Sequence, residues 1–172
     1  MKKRPSAEEV RRLLDYDPLT GVFTWKRRDG VLPTWNIRYA HKEAGCHVGK
    51  YLEICINGVR HGASRIAWVW MTGAWPQKTI DHRDRNGINN RWENLRSATG
   101  VQQTGNQKLR VTNGSGLRGV RFHKRAQKWN ARITINGEEV HLGLFRTKED
   151  AYATYLAAAR SHFGEYFHDP MA

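Results

Sequence analysis

The chain has 172 residues, 39% hydrophobic and including seven Trp, enough for one medium domain or two small ones and too apolar for compositional disorder. Lys and Arg outnumber Asp and Glu by 29 to 16, a formal charge of +13, which suits a polyanionic partner: DNA, RNA or an anionic membrane surface. Cys46 and Cys55 cannot build a CxxC…CxxC zinc site, and two reduced thiols in a reducing compartment are expected.

The N-terminal MKKRPSAEEVRRLL has no apolar stretch after its basic residues, so no signal peptide is expected, and no apolar run predicts a membrane span. Ser6 and Glu9 have capping-box spacing and open a predicted helix through Val10, Leu13 and Leu14. Pro18 and Gly21 mark a turn before a strand over Val22–Trp25, and residues 26–49, basic and weakly patterned, read mostly as loop. Lys50–Ile56 is strand-like, and Asn57-Gly58 turns it into a return strand from Val59. Ser64 is expected to cap a helix that Gly73 stops, with Ile66, Val69 and Trp70 on its core face. Gly105–Gly116 reads as a linker, with the domain boundary at 108–114.

A second pattern begins near Ser115. Val120 and Phe122 alternate with Arg121 and His123; Trp129, Ala131, Ile133 and Ile135 alternate with Asn130, Arg132 and Thr134. Asn136-Gly137 leads to a third strand carrying Val140 and Leu142, and Thr147 caps a helix from Lys148 to about His162, ended by Gly164. The fold class is therefore α+β, with a three-stranded antiparallel sheet packed on one helix in residues 115–172. The helix is expected to cover Val120, Phe122, Ala131, Ile133 and Leu142. That leaves Arg121, His123, Arg132, Thr134 and His141 on a free face shaped for a major groove.

Residues 80–106 read IDHRDRNGINNRWENLRSATGVQQTGN. Phosphodiester hydrolysis needs a base for water and a cation for the charge that develops, and Asp81 beside His82 can contribute to both. Neighbouring strand residues point to opposite faces, so the pair needs a local twist to share a site. Asp-His alone is more often a surface pair than a site. The longer string Asp81, His82, Asp84, Asn86, Asn89, Asn90, Arg91, Asn94, Leu95, Arg96, Ala98 and Thr99 resembles the H-N-H endonucleases of the phage and intron homing group. With TGVFTWKRR, YLEICING and SRIAWVWMTGAWP before it, the resemblance covers residues 8–106. It implies a ββα-metal nuclease domain over residues 1–107, with His82 as general base, Asn94 as the middle Asn pinning the loop, and one divalent ion, Mg²⁺ or Mn²⁺, on Asp81. The family's second metal ligand, 22 residues after the Asp, is usually Asn and is here Gln103; Asn106 is an alternative. The substrate implied is double-stranded DNA, nicked rather than cut through, in the cytoplasm of a bacterial or phage-infected cell.

Arg118-Gly-Val-Arg121, Lys128-Trp129, Ala131, Leu142-Gly143, Phe145 and the helix from Thr147 resemble the plant APETALA/ethylene-response-factor DNA-binding domain. The resemblance implies a DNA-gripping module, with Arg118, Arg121, Lys124, Arg132, Thr134 and His141 as contacts. Two rivals stand beside this reading. One is a DNA-binding protein with a degraded nuclease site, favoured by Gln103; the other is an RNA-directed protein, for which no aromatic ribonucleoprotein motif is present.

Overall fold

The computed structural model describes residues 4–107 and 113–169. The chain divides into two compact units, Met1–Ala98 and Thr99–Ala172. The architecture is mixed: among the described residues there are five α-helices and four small antiparallel sheets. Also among the described residues, no helix is long and apolar enough to cross a membrane.

In the first unit, α1 is Ala7–Leu13, with Ser6 Oγ accepting from Glu9 N at 3.1 Å. Only half of the expected capping box forms, because the Glu9 carboxylate accepts instead from Asn57 Nδ2 at 2.7 Å. Leu14, expected at the helix end, starts strand β1 (Leu14–Tyr16), which pairs antiparallel with β2 (Phe23–Trp25). The segment 26–49 is not mostly loop. It holds helix α2, Pro33–Tyr39, with Pro in its first turn, and strand β3, Cys46–Val48. Neither carries an apolar periodicity, since α2 buries no residue and all three β3 residues are exposed. β3 pairs with β4 (Tyr51–Ile56), which pairs with β5 (Val59–Gly62). Asn57 and Gly58 make the β4–β5 turn with φ of 51° and 73°, the left-handed pair that a tight hairpin requires.

Helix α3 is Ala63–Thr72, with Gly62 as N-cap and no side-chain cap. Ser64 therefore lies inside the helix and does not cap it, because the β5 strand runs directly into the first turn. Ile66, Ala67 and Val69 of α3 pack with Val10, Leu14, Phe23, Ile54 and Ile56 in one fully buried cluster. Each such aliphatic side chain contributes about 1.5–3 kcal/mol on burial. Strand β6 (Thr79–His82) pairs with β7 (Leu95–Ala98), in the register Asp81↔Arg96 and His82↔Leu95. Leu95 reaches the same core.

In the second unit, Thr99 opens α4 (Gly100–Gly105) with a complete capping box to Gln102. A sheet of β8 (Val120–His123), β9 (Lys128–Ile135) and β10 (Glu138–Phe145) has the order β10-β9-β8, with a bulge at Leu142. Asn136 and Gly137 turn β9 into β10 with φ of 51° and 88°. Helix α5 (Lys148–Phe163), capped by Thr147, covers Val120, Ala131 and Ile133 with Ala151, Tyr155, Ala159 and Phe163. Phe122 departs from the expected core: it is 40% exposed, because it sits near the end of the short β8 strand and leans its ring on Trp129 at 5.2 Å. Gly105 of α4 packs directly on Phe163, where a Cβ would meet the ring at 2.8 Å. This packing joins α4 to the second unit, ahead of the boundary read at 108–114; residues 108–112 of that linker lie outside the described residues.

Candidate functional site

The loop between β6 and β7 is built from Asn and Asp, side chains that mimic backbone groups and so can hold an irregular segment. Asn94, in the 3-10 turn Trp92–Asn94, is 7% exposed. Its amide nitrogen donates to Asp84 Oδ1 at 2.9 Å and to Asn89 O at 2.8 Å, and its side-chain oxygen accepts from Asp84 N at 3.0 Å. Asn89 Nδ2 donates to Asp84 Oδ2 at 2.6 Å and Asn86 N to Oδ1 at 2.8 Å. Burial pushes the Asp84 carboxyl up, but these donors and the nearby His82 outweigh it and hold the group below the usual carboxylate range. Asp84 matches the motif, yet nothing in the sequence shows it as the hub of the loop.

His82 is the last residue of β6 and is 6% exposed. Its Nε2 lies 3.3 Å from Asn90 Oδ1. Asn90 is 1% exposed, and its Nδ2 donates to Ile88 O at 3.2 Å, which fixes the amide so that its oxygen faces the imidazole. A carbonyl oxygen only accepts, so this contact is a hydrogen bond in the tautomer protonated at Nε2, which leaves Nδ1 as the basic nitrogen. Behind Asn90, the Tyr16 hydroxyl donates to Asn90 O at 2.6 Å, and burial, then the Asp17 charge, raise the Tyr16 pKa well above its ordinary value. Gly21, at φ +77°, lets the β1–β2 turn approach: a Cβ there would sit 2.5 Å from the backbone of Asn90 and Arg91. The Tyr51 ring lies 6.3 Å from that of His82. Sequence reasoning assigns no role to Asn90 or Tyr51; the doubled Asn89-Asn90 in the motif is the one signal for the first.

Asp81 is 9% exposed and faces its cross-strand partner Arg96, 7% exposed. Both Nε and one terminal nitrogen of Arg96 donate to Asp81 Oδ2 at 2.9 Å. The site geometry thus puts Asp81 on Arg96 and His82 on Asn90. Among the described residues, no group of three or more His, Cys, Asp or Glu side chains converges as a metal cage. A lone carboxylate such as Asp81 is the kind of oxygen donor that Mg²⁺ or Mn²⁺ takes, since they keep several waters, and does not make a closed zinc site. A cation on Asp81 has to share the carboxylate with Arg96 or displace it. Gln103 and Asn106 fall in the second unit: Gln103 is half-buried within α4, and Asn106 is its buried C-cap residue at 5% exposure, past the helix proper.

In the second unit the strand register sets Arg121 beside Asn130 and Arg132 beside His141 on the sheet face away from α5. Arg121, Thr134 and His141 are exposed, as is Lys124 in the β8–β9 turn. Arg132 is tied to Glu139 at 2.6 Å, and His141 Nδ1 donates to Asn130 Oδ1 at 2.8 Å. Arg118 is not on this face: its guanidinium donates to the carbonyls of Thr104, Gly105 and Gln107, closing the C-terminal end of α4.

Residues 61–103 match the family model for HNH endonuclease. The match spans β6, the Asn-rich loop and β7, and it ends at Gln103. Such a domain implies a nucleic-acid substrate. The chain is also similar to Protein 3.8 of Escherichia phage T7, 29% identical over 86 residues, covering 44% of this chain and 71% of the relative. No solved structure matches.

Proposed function

We propose that the chain is a metal-dependent DNA endonuclease of the H-N-H homing type that hydrolyses one phosphodiester strand of a duplex. The observation that carries it is the buried His82, its Nε2 3.3 Å from Asn90 Oδ1, inside the segment that matches the HNH endonuclease family. In this reading His82 Nδ1 takes a proton from water, whose oxygen attacks phosphorus as one P–O ester bond breaks. Asn94 keeps the loop closed over the strands so that the imidazole does not drift. A bound Mg²⁺ or Mn²⁺ supplies charge neutralisation at the scissile phosphate and the leaving oxygen. Asp81 would hold it.

The second unit acts as a DNA-binding module through the face carrying Arg121, Lys124, Arg132, Thr134 and His141. The exposure of Arg121, Lys124, Thr134 and His141 supports this, with Arg118 now given to α4. The experiment is incubation of supercoiled plasmid with the protein in Mg²⁺, Mn²⁺ or chelator. Open-circular product that requires metal is expected; linear product without an open-circular precursor contradicts nicking, and no product contradicts the enzyme.

One observation favours a second reading, a DNA-binding protein without cleavage. Arg96 already balances the Asp81 charge, as it would if no cation were needed. Metal-independent DNA binding together with an inert plasmid assay selects it.

A further inference from the structure

Residues 26–42 combine little burial with high charge. Helix α2 buries none of its seven residues, and a helix that short does not persist by itself in water. It is held by other means. The Arg28 guanidinium lies 4.6 Å from the Trp25 ring centre and 4.1 Å from that of Trp35, and Trp35 meets Tyr39 at 5.3 Å. The Asn36 side chain clips the Arg28 backbone at both ends, accepting from its N at 3.0 Å and donating to its O at 2.8 Å.

What this scaffold displays is unusual for a solvated loop. Leu32 is 76% and Ile37 79% exposed. In the same segment Arg27, Arg38 and Lys42 are exposed; residues 26–42 hold five Lys and Arg against one acid, Asp29, and of these Lys26 pairs with Asp15 at 3.0 Å. Arg27, Ile37 and His41 line a cleft of about 460 Å³.

We propose that the α2 platform is a second DNA-contact surface: Arg27, Arg38 and Lys42 meet phosphates along one groove, while Leu32 and Ile37 press on the sugar edges between them. This rests on the nuclease reading and adds to it a grip that does not use the second unit. Charge selects the occupant. Exposed apolar side chains in a cation-rich segment match a minor groove, whose walls are sugar carbon and whose rims are phosphate. A second copy of this chain, at +13, is repelled from the same patch.

The test uses the full-length protein in chelator, so that no cleavage intervenes, with duplex affinity measured by anisotropy across a salt series. Arg27→Gln/Arg38→Gln/Lys42→Gln is expected to flatten the plot of log affinity against log salt by roughly two to three, about 0.9 for each phosphate that is no longer neutralised. Ile37→Ser is expected to weaken binding several-fold at unchanged slope. On wild-type protein, duplex DNA is expected to protect Lys42 from acetylation, a readout independent of any variant's folding.

A wild-type slope in the triple variant, or an unprotected Lys42, overturns the surface while leaving the nuclease reading intact. Failure of the wild-type chain to bind DNA overturns both. Loss of self-association by Ile37→Ser in light scattering, or of binding to phosphatidylserine vesicles by the triple variant, at unchanged DNA affinity assigns the patch elsewhere and overturns the proposal.

Discussion

The side-chain oxygen of Asn90, 3.3 Å from His82 Nε2, favours the tautomer that carries its proton on that nitrogen. Because Asn90 is buried and its amide is fixed by Ile88 O, replacing it with Leu keeps the volume and removes the acceptor. Asn90→Leu should lower kcat on the order of 10–100-fold, as loss of a residue that orients an imidazole does, with KM nearly unchanged. Asn90→Asp, which still accepts, should retain more activity. Steady-state kinetics on a short duplex checks both, and a Leu variant at the wild-type rate would show that Asn90, 3.3 Å from the ring, orients nothing. Arg96 offers a different reading of metal fit. With both partners of the Asp81–Arg96 pair buried, Arg96→Met removes the guanidinium that Asp81 Oδ2 accepts from and should cost about 3–5 kcal/mol. Mg²⁺ should restore part of that, raising the Tm of the variant more than that of wild type. If calorimetry finds no Mg²⁺ effect on the variant, Asp81 does not bind the ion.

The elements divide into those that announce themselves and those that do not. Strands β8 to β10 are legible because period-two alternation and the Asn136-Gly137 turn are local signals, and the Asn57-Gly58 turn is equally local. Helix α2 is not, since it has no apolar face to give a period; nor is β3, whose pairing runs through the backbone of β4. Within the site, the motif places Asp81, His82 and Asn94 together in one string. The Asn90–His82 and Arg96–Asp81 pairings depend on loop geometry and cross-strand register, which no linear spacing encodes. Register also produces a testable brake on the proposed DNA face. Thr134 pairs with Glu139 and Arg132 with His141, so the acid lies diagonally next to Arg132 and ties it. Glu139→Gln should free the guanidinium, tighten duplex binding and steepen the salt dependence by roughly one phosphate's worth. Unchanged affinity would mean that Arg132 does not touch DNA.

At the scale of the molecule, packing assigns α4 to the second unit, although the motif string runs into it. The reasons are specific: Gly105 seats on Phe163, His168 N donates to Gly105 O at 3.3 Å, and Arg118 closes the helix end. A fragment of residues 99–172 should therefore unfold at a higher temperature than one of 115–172, which exposes Phe163 and leaves Arg118 without its acceptors. Equal melting curves would contradict that packing. The boundary is hard to see in sequence because the polar stretch after Gly105 looks like a linker, while the groups that bind α4 come later, Arg118 beyond that stretch and Phe163 and His168 at the far end of the unit.

If His82 is the base of a hydrolytic reaction, as proposed, its removal must slow chemistry and spare binding, and one paired measurement tests that most directly. Single-turnover cleavage of a duplex in Mg²⁺ is followed for wild type and His82→Ala while affinity for the same duplex is measured in chelator. The expected result is a rate loss of roughly 10²–10⁴-fold, the usual contribution of a positioned base, with affinity nearly unchanged. A His82→Ala protein that cleaves at the wild-type rate would contradict it.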